Sequence, residues 1–373
     1  MSITALSTTE LSRALALRDL TDPARGAHAM QLVLDELAAA LAHVAPVRVH
    51  RASPIVSIAD NYDHLGYAPD AIARDARYTR YACDVAVLRT QTSAMIPPLL
   101  RELSHDPPDD VLLVCPGLVY RRDAIDRLHV GEPHQVDVWR VARAALTARE
   151  LDELVAIVVA AVLPGARWRT QPASHPYTID GRQIDVLADQ QWIEIGECGV
   201  ASPRLYAASG LGDRGGLALG LGLDRIVMLR KGVPDIRLLR ASDPRVARQM
   251  LDLAPYRAVS TMPAVRRDLS IALPPPVDGE RLGDDVRRAL GDRAELVEAV
   301  EVLAVTPCAE LPPAARARLG IAHDHHNALV RVTLRALDHT LTDDECNALR
   351  DDVYAAIHRG TVQQWARRPA ADP

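Results

Sequence analysis

The stretch VLLVCPGLVYRRDAIDRLHVGEPHQVDVWRVAR, residues 111–143, reads as two β-like runs, 111–122 and 134–143, around a charged loop. Val and Leu dominate both runs, and turn-forming and charged residues separate them. The loop concentrates Arg121, Arg122, Asp123 and His129, and the second run opens with Gln135 and Asp137. Residues two apart on a strand point to the same side. An amide and an acid so placed suit an ammonium group. Arg121, with its planar and permanently charged fork, suits a phosphate.

Working outward, the same alternation of strands and helices continues. Residues 10–44 carry apolar side chains at three- and four-residue spacing, a helical pattern. Residues 52–60 read as a strand leading into a loop, and 148–163 as a helix. QIDVLADQQWIEIGECG (183–199) reads as two strands joined by a polar turn. LALGLGLDRIVMLRKG (217–232) begins glycine-rich and becomes a helix with Arg225 near its start. A helix dipole and a guanidinium together can hold a second phosphate. Asp185 or Glu194, on a separate strand, could hold Mg²⁺. Together these groups call for a triphosphate and an amino acid. The matching reaction is carboxylate attack on an α-phosphate, driven by positioning and charge neutralisation.

Past LDLAPYRAVSTMP the pattern changes. Strands are expected at 266–274, 296–305 and 328–337, and helices at 279–291 and 343–359. Thr342 and Glu345 have capping-box spacing before the second helix. A last strand around TVQQW would complete β-α-β-β-α-β, a ferredoxin-like unit. The expected class is α+β. The expected divisions are an N-terminal helical segment (1–50), a catalytic domain (51–250), a linker (251–263) and the ferredoxin-like domain (264–367).

Bulk properties set limits on this reading. The 373 residues, 48% hydrophobic, can bury a large core. The net charge of −6 argues against a general nucleic-acid coat and leaves room for a local basic face. Five scattered cysteines with no C-x-x-C spacing read as reduced thiols. No apolar run approaches the roughly 20 residues of a membrane span, and no signal-peptide pattern opens the chain, so a cytoplasmic protein is expected. The HDHH run at 323–326 reads as a polar hairpin tip, since neighbours on a loop rarely converge on one ion. Cys198 reads as a small buried residue. The chain has no phenylalanine, although it has nine tyrosines and four tryptophans. Lineage drift is the preferred reading, ahead of selective avoidance.

At this point the chain resembles a known family. YRRDAIDRLHVGEPHQVD is similar to motif 2 of phenylalanyl-tRNA synthetases, which are class II aminoacyl-tRNA synthetases, and GLALGLGLDRIVMLRKGVPDIR to their motif 3. VLRTQTSAMIPPLL and DNYDHLGYAPDAIARD resemble two further segments, and the chain from Tyr256 resembles the ferredoxin-fold anticodon-binding domain. The resemblance covers most of residues 50–360. It implies an antiparallel class II sheet flanked by helices, ATP and Mg²⁺ as cofactors, and formation of an aminoacyl-adenylate with transfer to tRNA. Arg121 would contact the α-phosphate and Arg225 the γ-phosphate. Asp123 and His129 would lie by the ATP, and Glu194 would belong to the Mg²⁺–ATP shell. Gln135 and Asp137 would hold the α-ammonium, with Ser93 nearby and Ala218 lining the amino-acid site.

The departures fall in the side-chain pocket. Where the family has Phe-Pro-Phe-Thr-Glu, this chain has His175-Pro176-Tyr177-Thr178-Ile179, and where it has Gly-Cys-Gly, this chain has Glu197-Cys198-Gly199. Where the family has Glu at the end of motif 2, this chain has Asp137. A buried polar group without a partner costs about 1–3 kcal/mol. A pocket lined by His175, Tyr177 and Glu197 should therefore favour a polar aromatic amino acid over phenylalanine. Two other readings stand beside this one: an amino-acid ligase acting on a small molecule or carrier protein without tRNA, and a non-catalytic tRNA binder. The oligomeric state is left open.

Overall fold

A computed structural model describes residues 5–75, 78–121, 124–259 and 262–363. Two compact units emerge. The first takes the chain up to Arg121, then Glu132–Pro234 and Arg248–Tyr256. The second takes the loop up to Gly131, then Asp235–Ala247 and the chain from Arg257.

In chain order the first unit contains α1 (Thr8–Ala16), α2 (Ala29–Leu41), β1 (Val47–Val49), β2 (Ile55–Ser57), α3 (Ile58–Asn61), β3 (Tyr81–Cys83), β4 (Ala86–Leu88), α4 (Ile96–Leu103), β5 (Asp110–Leu118), β6 (His134–Ala142), α5 (Ala148–Val162), β7 (Trp168–Pro172), β8 (Thr178–Ala188), β9 (Gln191–Ala201), α6 (Pro203–Ala208), β10 (Gly215–Gly222) and α7 (Leu223–Lys231). The helical pattern of 10–44 is thus broken in two. Asp22 caps a 3₁₀ turn at Pro23–Arg25, and Gly26 follows at φ 103°, a value that L side chains rarely adopt. Residues 52–60 form a strand and then a short helix in place of a loop, because the Ser57 hydroxyl accepts from the Asp60 amide and starts α3.

Seven strands form the main sheet in the order β1-β5-β6-β10-β9-β8-β7. Only β1 and β5 run parallel; every other pair is antiparallel. Pro116 lies inside β5, just past the end of β1, where no partner strand asks for its missing N–H. The next donor on that edge, Leu118 N–H, is taken by Asp19 Oδ2 at 3.2 Å. One sheet face carries Val136, Val138, Ile184, Val186, Leu219 and Leu221, all buried. Helix α5 packs on β9 and α7 on β6 and β9, with α2 against both helices. Fully burying each such side chain contributes about 1.5–3 kcal/mol. The other face carries a second buried cluster, in which Leu113, Trp139, Val141 and Ala218 pack with Ile96 and Leu100 of α4, and the polar residues line the same face beside it.

The second unit contains α8 (Pro244–Ala247), β11 (Val265–Leu273), α9 (Gly279–Leu290), β12 (Val297–Pro307), α10 (Pro313–Leu319), β13 (His326–Leu334) and α11 (Asp343–Ile357). Its three described strands are antiparallel in the order β11-β13-β12, so β-α-β-β-α is present with an added α10. The expected last strand is absent from residues 361–363, and the remainder of TVQQW lies outside the described residues. The Thr342–Glu345 capping box forms at the start of α11. Ile125, from the loop between β5 and β6, belongs to this unit's core with Leu269, Val286 and Val330. Val300 N–H donates to Ile125 O at 2.9 Å, and Arg287 donates to Ala124 O at 2.7 Å.

Candidate active site

The register of the main sheet determines which side chains meet, because paired antiparallel residues share a face. Ala218, Gly220 and Gly222 on β10 pair with Trp139, Asp137 and Gln135 on β6. On the other flank of β10, Gly220 pairs with Glu197 and Ala218 with Gly199. Glu197 pairs in turn with Gln183, and Asp185 with Glu194. Strict alternation would send Glu194 and Glu197, three apart, to opposite faces. A register shift between the Ile184 and Asp185 pairs adds a residue on β9 and returns Glu194 to the face of Glu197. Gln135, Asp137, Glu197, Glu194 and Asp185 therefore line one face.

The glycines leave room on that face. A Cβ built on Gly220 would meet only Asp137 Oδ1, at 3.7 Å, and one on Gly222 only Ile195 O, at 3.8 Å. Beside this floor stands a row of rings. Trp139 and Tyr177 have centroids 5.8 Å apart, Tyr67 and Tyr177 6.5 Å, and His175 and Tyr177 6.0 Å. Burial pushes the Tyr67 phenol up to about 12, and its hydroxyl donates to Gln91 Oε1 at 2.9 Å. Burial pushes the Tyr177 phenol well above its usual value, with Ser93 as a hydrogen-bond partner pulling the other way.

Asp137 is buried, and donors occupy both of its oxygens. Thr92 Oγ1 donates to Oδ1 at 2.7 Å, and Trp139 Nε1 to Oδ2 at 2.8 Å. Burial raises its carboxyl above the ordinary aspartate value; the hydrogen bonds from Thr92, Trp139 and Ser93 offset this only in part. Thr92 N–H also donates to Gln135 Oε1 at 3.4 Å. Thr92 and Ser93 belong to a buried 3₁₀ turn, Thr92–Met95, that locks against β6 through these bonds.

The other carboxylates differ. Glu197 is 45% exposed, and its Oε2 lies 2.9 Å from His175 Nε2. No directed hydrogen bond is made there: the His175 side chain is 8% exposed, and its Nε2 is a buried atom without a hydrogen-bond partner. His175 Nδ1 meets Thr178 Oγ1 at 3.2 Å. Burial raises the Glu194 carboxyl, Arg225 and Arg121 lower it, and Glu197 and Asp185 raise it further. Asp185 is committed to Arg169 Nε at 3.1 Å and to Gln171 and Gln183 Nε2, each at 2.6 Å. Burial would raise its carboxyl, but those donors outweigh it and hold the group below the ordinary range.

Arg225 lies in the first turn of α7. Its Nη1 donates to Glu194 O at 3.1 Å and approaches Glu194 Oε2 at 4.0 Å. Arg121, expected on a strand, lies beyond the end of β5 in an exposed position, and its carbonyl accepts from Arg80 at 3.1 Å. Asp123 lies outside the described residues. His129 belongs to the second unit, where its Nδ1 is 2.7 Å from Asp126. Ala218 is buried in β10. Burial holds the Cys198 thiol at about 12, so it stays protonated and inert.

Sequence reasoning passed over His134 and Asp224. His134 is fully buried; its backbone N–H and Nδ1 meet the Asp224 carboxylate, and its Nε2 accepts from Leu20 N–H at 3.0 Å. This pair ties the start of β6 to the start of α7, and so positions the Gln135–Asp137 edge relative to Arg225. A histidine beside Gln135 and an acid beside Arg225 were visible signals, but 90 residues separate them in sequence. Among the described residues, no group of three or more His, Cys, Asp or Glu could hold a metal ion, and no helix is long and apolar enough to cross a membrane. Chemically, the face offers two cations bearing on one carboxylate, an open glycine floor and an aromatic wall.

Residues 16–250 match the family described as tRNA synthetases class II core domain (F). Over 191 residues the chain is 35% identical to the phenylalanine–tRNA ligase alpha subunit of Prochlorococcus marinus (strain MIT 9313), covering 51% of this chain and 56% of that protein. It is 34% identical over 204 residues to the alpha subunit of Persephonella marina, covering 51% and 58%. Against the chloroplastic/mitochondrial phenylalanine–tRNA ligase of Arabidopsis thaliana it is 26% identical over 324 residues, covering 82% of this chain and 70% of that protein. The chain spans little more than half the length of the alpha subunits it matches.

Proposed function

The chain belongs to the class II tRNA synthetase core domain (F) family, and from that premise we propose that it is a ligase that activates an amino acid with ATP. The product is an aminoacyl-adenylate and pyrophosphate, and the acyl group then passes to a tRNA. The observation that carries this reading is that Arg225 and Arg121, from separate elements, both act on the Glu194 carboxylate beside the open glycines of β10. Two cations bearing on one carboxylate suit a bent triphosphate, and a zwitterion can lie beside it on the glycine floor.

The donor set fits ATP with Mg²⁺. Asp185 is buried and already accepts from three donors, which leaves the more exposed Glu194 as the carboxylate that would hold the ion together with phosphate oxygens. Bound there, Mg²⁺ would neutralise phosphate charge. Arg121 and Arg225 orient the phosphates, and the aromatic row of Tyr67, Trp139 and Tyr177 receives the side chain. The hydroxyl of Tyr177 and the imidazole of His175 favour a polar aromatic amino acid over phenylalanine. An ATP–pyrophosphate exchange screen over amino acids tests this. Exchange with tyrosine-like substrates above phenylalanine is expected; a marked preference for phenylalanine would overturn the substrate reading, and no exchange with any amino acid would overturn activation. Acylation of tRNA by the activated amino acid then tests the acceptor, and adenylation without it points to a small molecule or carrier protein.

A further inference from the structure

Two carboxylates flank Gly220 on the same face, Asp137 from β6 and Glu197 from β9. They differ in availability. Asp137 is 2% exposed, with Thr92 and Trp139 each donating to one of its oxygens. Glu197 is 45% exposed, and its Oε2 lies 2.9 Å from His175 Nε2, buried and without a directed hydrogen bond. The space over Gly220 between the two is open except for Asp137 Oδ1. A cation entering there meets a buried, hydrogen-bonded acid on one side and a solvent-accessible one on the other.

We infer that Glu197, and not Asp137, supplies the accessible counter-charge for the primary ammonium of an amino acid bound over Gly220, with the His175 ring beside it. This rests on the activation reading and changes the role of Glu197 from reading the side chain to holding the ammonium. Asp137 becomes a positioning residue: it fixes Thr92 and Trp139, and contributes field more than contact. A carboxylate at 137 that was longer by one methylene would extend further over Gly220, which Asp137 Oδ1 already borders.

The test is calorimetric binding of acyl-sulfamoyl adenosines to the full chain. The acyl groups are phenylalanyl and tyrosyl, each with a counterpart lacking the α-amino group. Removing the ammonium should weaken binding to the unaltered protein by about tenfold to a hundredfold, the range of a charge-assisted hydrogen bond. In Glu197→Gln that ratio should collapse toward one for both acyl groups, and adding Asp137→Glu to Glu197→Gln should restore it. If Glu197→Gln weakens the tyrosyl compounds alone, with or without the amine, Glu197 reads the side chain and the inference is wrong. An unchanged ratio in Glu197→Gln also overturns it. If the unaltered protein binds none of the four compounds, the activation reading falls and takes this inference with it.

Discussion

The β6 side and the β9 side of the polar face hold the same kind of group under opposite conditions. On β6, Asp137 is buried, hydrogen-bonded at both oxygens and backed by Thr92, Ser93 and Trp139. On β9, Glu194 and Glu197 are each more than two-fifths exposed at the side chain; Arg225 approaches Glu194 only to 4.0 Å, and Glu197 lies beside the His175 ring. Strand pairing brings all three to one face; burial then decides which are structural and which can meet a ligand. A charged residue in a motif is available for binding only if a ligand can reach it.

The largest expected effect breaks the comparison at its electrostatic end. Arg225→Ala should lower ATP–pyrophosphate exchange by at least about a hundredfold, the scale for removing one preorganised charge donor, with an unchanged far-UV spectrum. Exchange within threefold of the unaltered chain would remove Arg225 from the site. Next, Asp137→Ala should cost about 2–3 kcal/mol in urea unfolding, because Trp139 Nε1 and Thr92 Oγ1 lose their acceptor in a buried setting. Glu197→Ala should stay within about 0.5 kcal/mol, as expected of a part-exposed group. Equal losses at the two positions would erase the distinction between the two strands.

A smaller effect is read in pH. The Asp137 carboxyl is raised by burial, so between its unfolded and folded values the native state holds more proton than the unfolded one. Stability from this group is therefore greatest in acid and falls as pH rises through the folded value. Asp137→Asn should flatten that decline in a series of urea titrations; a steeper decline would reverse the sign. Asp185, held below the ordinary range, works the other way, and stability from it is lost as pH falls through its folded value. The smallest effect lies at the β8–β9 turn, where Asp189 and Gln190 take φ of 47° and 62°. Gln190→Gly should raise stability by about 0.5–1 kcal/mol, since glycine enters that region without Cβ strain. A loss on calorimetric melting would mean that the Gln190 side chain contributes more than its backbone costs.

Much of the fold was legible in local pattern. The runs 111–122 and 134–143 became β5 and β6, the glycine-rich segment before Arg225 became β10 followed by α7, and Thr342 and Glu345 closed their box. Local reading failed where a few residues override a period. Asp22, Pro23 and Gly26 split the 10–44 helix, and the bulge on β9 moved Glu194 across the sheet. It also failed at the loop after Arg121, whose Ile125 finds its core partners in the second unit.

The sequence by itself determined the order of strands and helices, the α+β class and the residue types that bear chemistry, because hydrophobic period and turn chemistry act over a few neighbours. Only the tertiary structure decided that Asp137 and Glu197 flank one glycine, that Asp185 is spent on Arg169, Gln171 and Gln183, and that His134 answers Asp224. Register, burial and the competition for hydrogen-bond partners are set between segments far apart in the chain, and no local window contains them.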